Sequence, residues 1–145
     1  MNVAAFITAA ESLGPDSLEP LLEFYAEDCR FADPFQTVYG RSNIRRVYQD
    51  MFSHLHQPQF KNVELMAQPD YAKSELVISW CFEFSIGHQK PRQQVLGCSR
   101  LRLDGQGKIL DHQDFWDGSQ LMQAFPIVGP IIRWLRQKIG HPKDH

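Results

Sequence analysis

The sequence predicts an α+β domain in which a curved, mostly antiparallel sheet is wrapped over helices. Three observations predict it. Helical spacing fills the first part of the chain, and strict alternation fills the part after Pro58. The strongest helical stripe comes just before that change. The strand-like runs that follow are joined by short turn signals, which makes an antiparallel meander. At 145 residues the chain reads as one domain, 1–145, with 126–145 as a C-terminal tail. It is long enough to bury a core without metal or disulfide staples.

The elements follow in order. Residues 3–13 read as a short helix that stops at Gly14-Pro15. Asp16 or Ser17 then caps a second helix running to about Glu27. Glu19 completes a capping-box spacing and Pro20 lies in the first turn. Leu18, Leu21, Leu22 and Tyr25 recur at helical intervals and form its core face. A short strand over 29–32 and an irregular loop follow. Gly40 and Ser42 announce the next helix, over about 42–56, with Ser42 as N-cap. Ile44, Val47, Tyr48, Met51, Phe52 and Leu55 make its apolar stripe.

Four strands are predicted over about 60–68, 74–86, 92–104 and 109–117. The turns are Pro69-Asp70, Gly87 to Pro91, and Asp104-Gly105-Gln106-Gly107. In the second strand Trp80, Phe82 and Phe84 share the inner face. In the third, Val95, Gly97, Ser99, Leu101 and Leu103 share one face. Arg100 and Arg102 lie on the other, where either can pair with Glu83.

Hydrophobic residues are 43% and charged residues 22% of the chain, a globular composition. The net charge of −2 provides no field for nucleic acid, so none is expected as a partner. The charge is uneven, at −6 over residues 1–40 and +3 over residues 131–145. Cys29, Cys81 and Cys98 are odd in number and widely spaced, which suits free thiols and a cytoplasmic setting. The N-terminal apolar run has no basic flank, so no signal peptide is expected. No spacing of His or Cys suggests a metal. His54 and His56, two apart in HLH, do not face one site on a helix. No phosphate-binding or hydrolase motif is present, and no cofactor is expected.

Two stretches carry candidate chemistry. The first is YAEDCRFADPFQTVYG, residues 25–40. Asp33 stands at a strand end, fixed by Pro34 and flanked by Phe31 and Phe35. Loss of hydration there favours its protonated form and suits acid–base work. The alternative is a turn cap, because Asp-Pro is a common turn pair. The second is ILDHQDFWD, residues 109–117. Alternation puts Leu110, His112, Asp114 and Trp116 on one side. Polar and apolar groups sharing a face mean a wet surface or a cavity that needs polar groups. The tail, FPIVGPIIRWLRQKI, predicts a helix over 131–139. Its apolar and basic residues suit either a docked terminal helix or contact with an anionic membrane, and docking on the domain or on a second subunit is the favoured reading.

The stretches YAEDCRFADPF at 25–35, GRSNIRRVYQDMF at 40–52 and RLDGQGKILDHQDFW at 102–116 resemble the nuclear transport factor 2-like superfamily, and within it the SnoaL-like and ketosteroid isomerase-like branch. The resemblance implies a cone-shaped, cystatin-like fold with an internal pocket. It also implies a hydrophobic small-molecule ligand and a homodimer. It places the isomerase's general base at Asp33. The isomerase's oxyanion-hole tyrosine and protonated aspartate are replaced here by Ala9 and Ser99. A dienolate would lack its main stabiliser, so steroid isomerisation is not what these residues imply. SnoaL-type cyclases use an Asp/His set, which corresponds to catalytic Asp33, His112 and Asp114. Phe35, Tyr48, Phe52, Trp80, Phe82, Ser99 and Trp116 are the expected ligand-binding residues. The implied activity is cofactor-free isomerisation, cyclisation or epoxide hydrolysis. The alternative is a non-catalytic binding or interaction module.

Overall fold

A computed structural model of the protein describes residues 1–68, 74–123 and 128–140. The helices are α1 (Val3–Glu11), α2 (Glu19–Leu22), α3 (Arg41–His54), α4 (Ser119–Met122) and α5 (Val128–Gly140). The strands are β1 (Tyr25–Ala32), β2 (Thr37–Tyr39), β3 (His56–Ala67), β4 (Glu75–Ser85), β5 (Gln93–Leu103) and β6 (Ile109–Trp116). The strands form one curved sheet in the order β2-β1-β6-β5-β4-β3. All neighbours pair antiparallel except β1 and β6, which are parallel. Helix α1 packs on β3, and α3 packs on β1 and β3. The predicted α+β architecture is therefore the observed one. The turn at Pro69-Asp70 and the start of the tail at Phe125-Pro126 lie outside the described residues.

The core lies between the helices and one sheet face. Leu22, Tyr25, Ile44, Leu76, Leu101 and Ile109 are completely buried in it, drawn from α2, α3 and four strands. Burial of this apolar surface is the main force holding the helices to the sheet. Inward and outward positions alternate along β5 as the sequence requires. Val95, Ser99 and Leu101 are buried, while Arg100 and Arg102 are exposed. Glu83 does not pair with either arginine. The register sets it opposite Gln94, and Lys61 on the neighbouring edge strand meets it at 2.8 Å.

Other elements differ from expectation, each for a local reason. The second helix ends at Leu22, not near Glu27, and Asp16 does not cap it. Tyr25 opens β1 instead, four residues before the predicted strand, because β6 offers a parallel partner. The Ile109 N–H donates to the Phe24 carbonyl at 2.8 Å and fixes that start. Helix α3 is capped by Gly40 and not by Ser42. The Gly40 N–H donates to the Cys29 carbonyl at 2.7 Å, while its φ of 86° turns the chain into the helix. Strand β2, in the expected loop, pairs with β1 from Arg30↔Tyr39 to Ala32↔Thr37. Strand β3 begins at His56 and runs through Pro58. An edge strand with a register shift between His56 and Gln59 tolerates the missing N–H.

Candidate functional site

The tail of the sheet's logic is its last strand. In β6, His112 is buried although it is polar, and Asp114 is half-buried on the same side. Their side chains meet, with His112 Nε2 2.6 Å from Asp114 Oδ1. A carboxylate can only accept, so Nε2 carries the proton. In the neutral ring Nδ1 is then an acceptor, and the Tyr25 hydroxyl donates to it at 2.7 Å. Asp114 Oδ1 also accepts from the Ser99 hydroxyl at 2.5 Å. Ser99 in turn accepts from the Trp80 indole N–H at 2.8 Å. Among the described residues no donor reaches Asp114 Oδ2, which leaves that oxygen for a ligand.

Sheet register builds this chain of contacts. Ser99 is directly opposite Asp114, Leu101 opposite His112, and Phe31 of β1 is level with His112. The Phe31 ring covers the imidazole with centroids 4.7 Å apart, and the Tyr25 ring stacks near it at 5.8 Å. Gly97 lies opposite Trp80 and leaves room for the indole to lie across β5 toward Ser99.

A cavity of about 30 Å³ opens onto these groups. Tyr48, Trp80, His112 and Asp114 supply its polar or aromatic wall, and Phe6, Ala10, Leu21, Phe60, Val63 and Ile78 its apolar wall. Ligand sites typically enclose a few hundred Å³, so a substrate-sized guest has to displace side chains here. Burial raises the Tyr25 phenol well above its ordinary range, with the adjoining Tyr48 phenol and Asp114 acting in the same direction. Burial likewise raises Tyr48, followed by the Asp114 charge; Asp33 adds a smaller push. Both phenols are therefore proton donors at any physiological pH.

The structure thus brings together His112, Asp114, Ser99, Trp80 and Tyr48 of the expected set. It does not bring Asp33 to the cavity wall. Asp33 Oδ1 accepts from the backbone N–H groups of Phe35 at 2.8 Å and Gln36 at 3.0 Å, and Oδ2 from the Gln36 amide at 3.2 Å. It is a turn cap, the alternative that Asp-Pro allowed. Phe35 is exposed and sets its ring edge-on against Trp116 at 5.3 Å, while Trp116 is partly buried against the core. Phe52 is partly buried against the core. Phe82 is stacked between Phe60 and Phe84, behind the cavity lining. Tyr25 was missed as a site residue because helical spacing gave it to a core face. The adjacent Glu27 and Asp28, both exposed between buried positions, are the one sequence sign of a strand with an irregularity there.

The family described as SnoaL-like domain matches residues 3–112. The chain belongs to this family. No curated protein matches it. Several solved structures share the fold of this SnoaL-like chain. One is a phenazine biosynthesis-related protein from Pseudomonas aeruginosa, 15% identical, with 85% of this chain and 83% of that one covered and a TM-score of 0.68. Another is a Catenulispora acidiphila protein of ketosteroid isomerase-like fold in complex with trimethylamine, 18% identical, covering 83% and 88% with a TM-score of 0.66. A third is an epoxide hydrolase/cyclase-like enzyme in pyran ring formation in the polyether salinomycin, 16% identical, covering 81% and 88% with a TM-score of 0.62. At these identities the likeness is one of fold.

Proposed function

We propose that this SnoaL-like protein carries out cofactor-free acid–base chemistry on a small hydrophobic molecule, with Asp114 and His112 as the working pair. One observation carries the proposal. A carboxylate and an imidazole in contact at 2.6 Å face a largely apolar cavity, with the imidazole's second nitrogen held by a phenol. In this reading Asp114 Oδ2 takes a proton from the substrate. His112 donates to Oδ1, and Tyr25 fixes the ring's tautomer by donating to Nδ1. Ser99 holds the carboxylate's orientation, and Trp80 holds Ser99. Tyr48, protonated and on the cavity wall, can donate to an oxygen that gains charge in the reaction. Isomerisation, cyclisation and epoxide opening all fit this set. The cyclase-like name of one fold neighbour supports the latter two. Asp33 keeps an outer role, its negative charge acting on the Tyr48 phenol.

A panel of hydrophobic enones, β-dicarbonyls and epoxides tests the proposal. Asp114→Asn is expected to lower turnover by about two to four orders of magnitude while binding persists. Asp33→Asn is expected to change turnover far less. A second reading is a non-catalytic binding module. It draws on the fact that both His112 nitrogens and Asp114 Oδ1 are already engaged within the protein. Ligands that bind without turnover, with Asp114→Asn altering affinity only, favour that reading.

A further inference from the structure

We propose that α5 is a surface anchor whose apolar face docks on an anionic lipid bilayer. The sequence favoured a helix packed on the domain or on a second subunit. The structure leaves the described apolar side chains of α5 in the open. Ile131, Trp134, Leu135 and Ile139 are 57%, 56%, 40% and 83% exposed. They fall at i, i+3, i+4 and i+8, along one face of a 13-residue helix. One exposed leucine means nothing, but four large apolar groups in a row form a patch that calls for a partner.

Charge identifies the partner. Lys138 stands over the Trp134 ring at 5.8 Å, one turn further along the apolar face itself. A tryptophan with a cation beside it suits the headgroup level, where the ring sits in the interface and the ammonium stays wet. Residues 131–145 carry +3 in sequence, against −6 for residues 1–40. The chain's own exposed apolar sheet face, with Leu96 and Phe115, does not cover α5, whose apolar side chains stay open. Two copies of α5 meeting face to face bring their Lys138 ammonium groups together within the apolar face. An anionic bilayer takes up the apolar face and the cations together. No helix among the described residues is long and apolar enough to cross a membrane, so α5 lies along the surface.

Vesicle sedimentation with the full chain tests this. The probes are vesicles of phosphatidylcholine alone and of phosphatidylcholine mixed with phosphatidylglycerol, each at low and high salt. The protein is expected to sediment with the anionic vesicles at low salt and to be released by high salt. Lys138→Glu is expected to weaken binding roughly five-fold or more, each cation near an anionic surface being worth about five-fold. Paired Trp134→Ser and Ile139→Ser substitutions are expected to abolish it. Both positions are exposed, and circular dichroism checks that the fold is kept. No binding to anionic vesicles, equal binding to neutral ones, or binding unmoved by these substitutions overturns the proposal. So does a dimer in gel filtration that Trp134→Ser with Ile139→Ser splits, since that assigns the face to a second copy.

Discussion

At the scale of single residues, the site depends on a side chain that is missing. Gly97 lies opposite Trp80, and a Cβ there would be 2.7 Å from Cζ2 and 2.8 Å from Cζ3 of the indole. No such contact is tolerated in a packed core. Gly97→Ala is therefore expected to push Trp80 off Ser99 and to destabilise the fold by about 1–3 kcal/mol, read from urea denaturation. Turnover or ligand affinity should drop with it, because Ser99 then loses the donor that orients it toward Asp114. A variant as stable as the parent would mean that the indole has another place to go. His112 and Asp114 were legible in sequence, since two polar residues on the inward side of a strand break its alternation. Asp33 misled for a physical reason. A turn cap and a catalytic carboxylate share the same flanks, and the difference lies in which N–H groups arrive. Here they are those of Phe35 and Gln36.

At the scale of elements, the sequence marks strands and helices where one face decides the matter. The stripe of α3 and the alternation of β4, β5 and β6 are local signals, and those elements form within a few residues of their expected ends. The segment around Tyr25 has no such local signal. Leu18, Leu21, Leu22 and Tyr25 fit a helix by spacing, and Tyr25 fits a strand equally well. The choice falls to β6, some eighty residues later, whose edge pairs with β1. That non-local pairing carries Tyr25 to His112. Gly40 performs a related task for α3, turning the chain from β2 into the helix that holds Tyr48. Its φ of 86° is a conformation that a side chain resists, although the nearest atom to an added Cβ is a comfortable 3.6 Å away. Gly40→Ala is thus expected to cost about 1–2 kcal/mol through backbone strain alone. Gly40→Asn is expected to cost about as much, because φ 86° with ψ 146° lies outside the left-handed helical region that asparagine tolerates. Equal stability of all three proteins in thermal melts would count against a strained entry to α3.

At the scale of the whole molecule, the hydrogen-bonded path from Trp80 to Tyr25 crosses β4, β5, β6 and β1, and Tyr48 on α3 adjoins its end. The same path that positions the candidate site also ties the domain together, so its protonation state is linked to folding. Burial raises both tyrosines above the ordinary value of 10.0. In the unfolded chain they lose protons near pH 10, while in the folded protein they still hold them. Above that pH the unfolded state binds fewer protons, and stability must fall as pH rises. The contribution is complete below the unfolded value and is lost progressively toward the folded one. Each tyrosine adds a slope of about 1.4 kcal/mol per pH unit in that window. Cys29 and Cys81, also raised by burial above an ordinary 9.0, act with the same sign and begin about one unit earlier. The urea midpoint is thus expected to be steady up to about pH 9 and to drop steeply above pH 10. In Tyr48→Phe the high-pH decline should be shallower, because one of the two phenols no longer titrates. A midpoint that stays level through pH 11 would show that these phenols ionise in the fold as they do in water, and a Tyr48→Phe decline as steep as the parent's would show it for Tyr48. Tyr25 would still hold its proton near pH 7, but the site would then be open to water, and the acid–base reading would lose the buried setting it gives to His112 and Asp114.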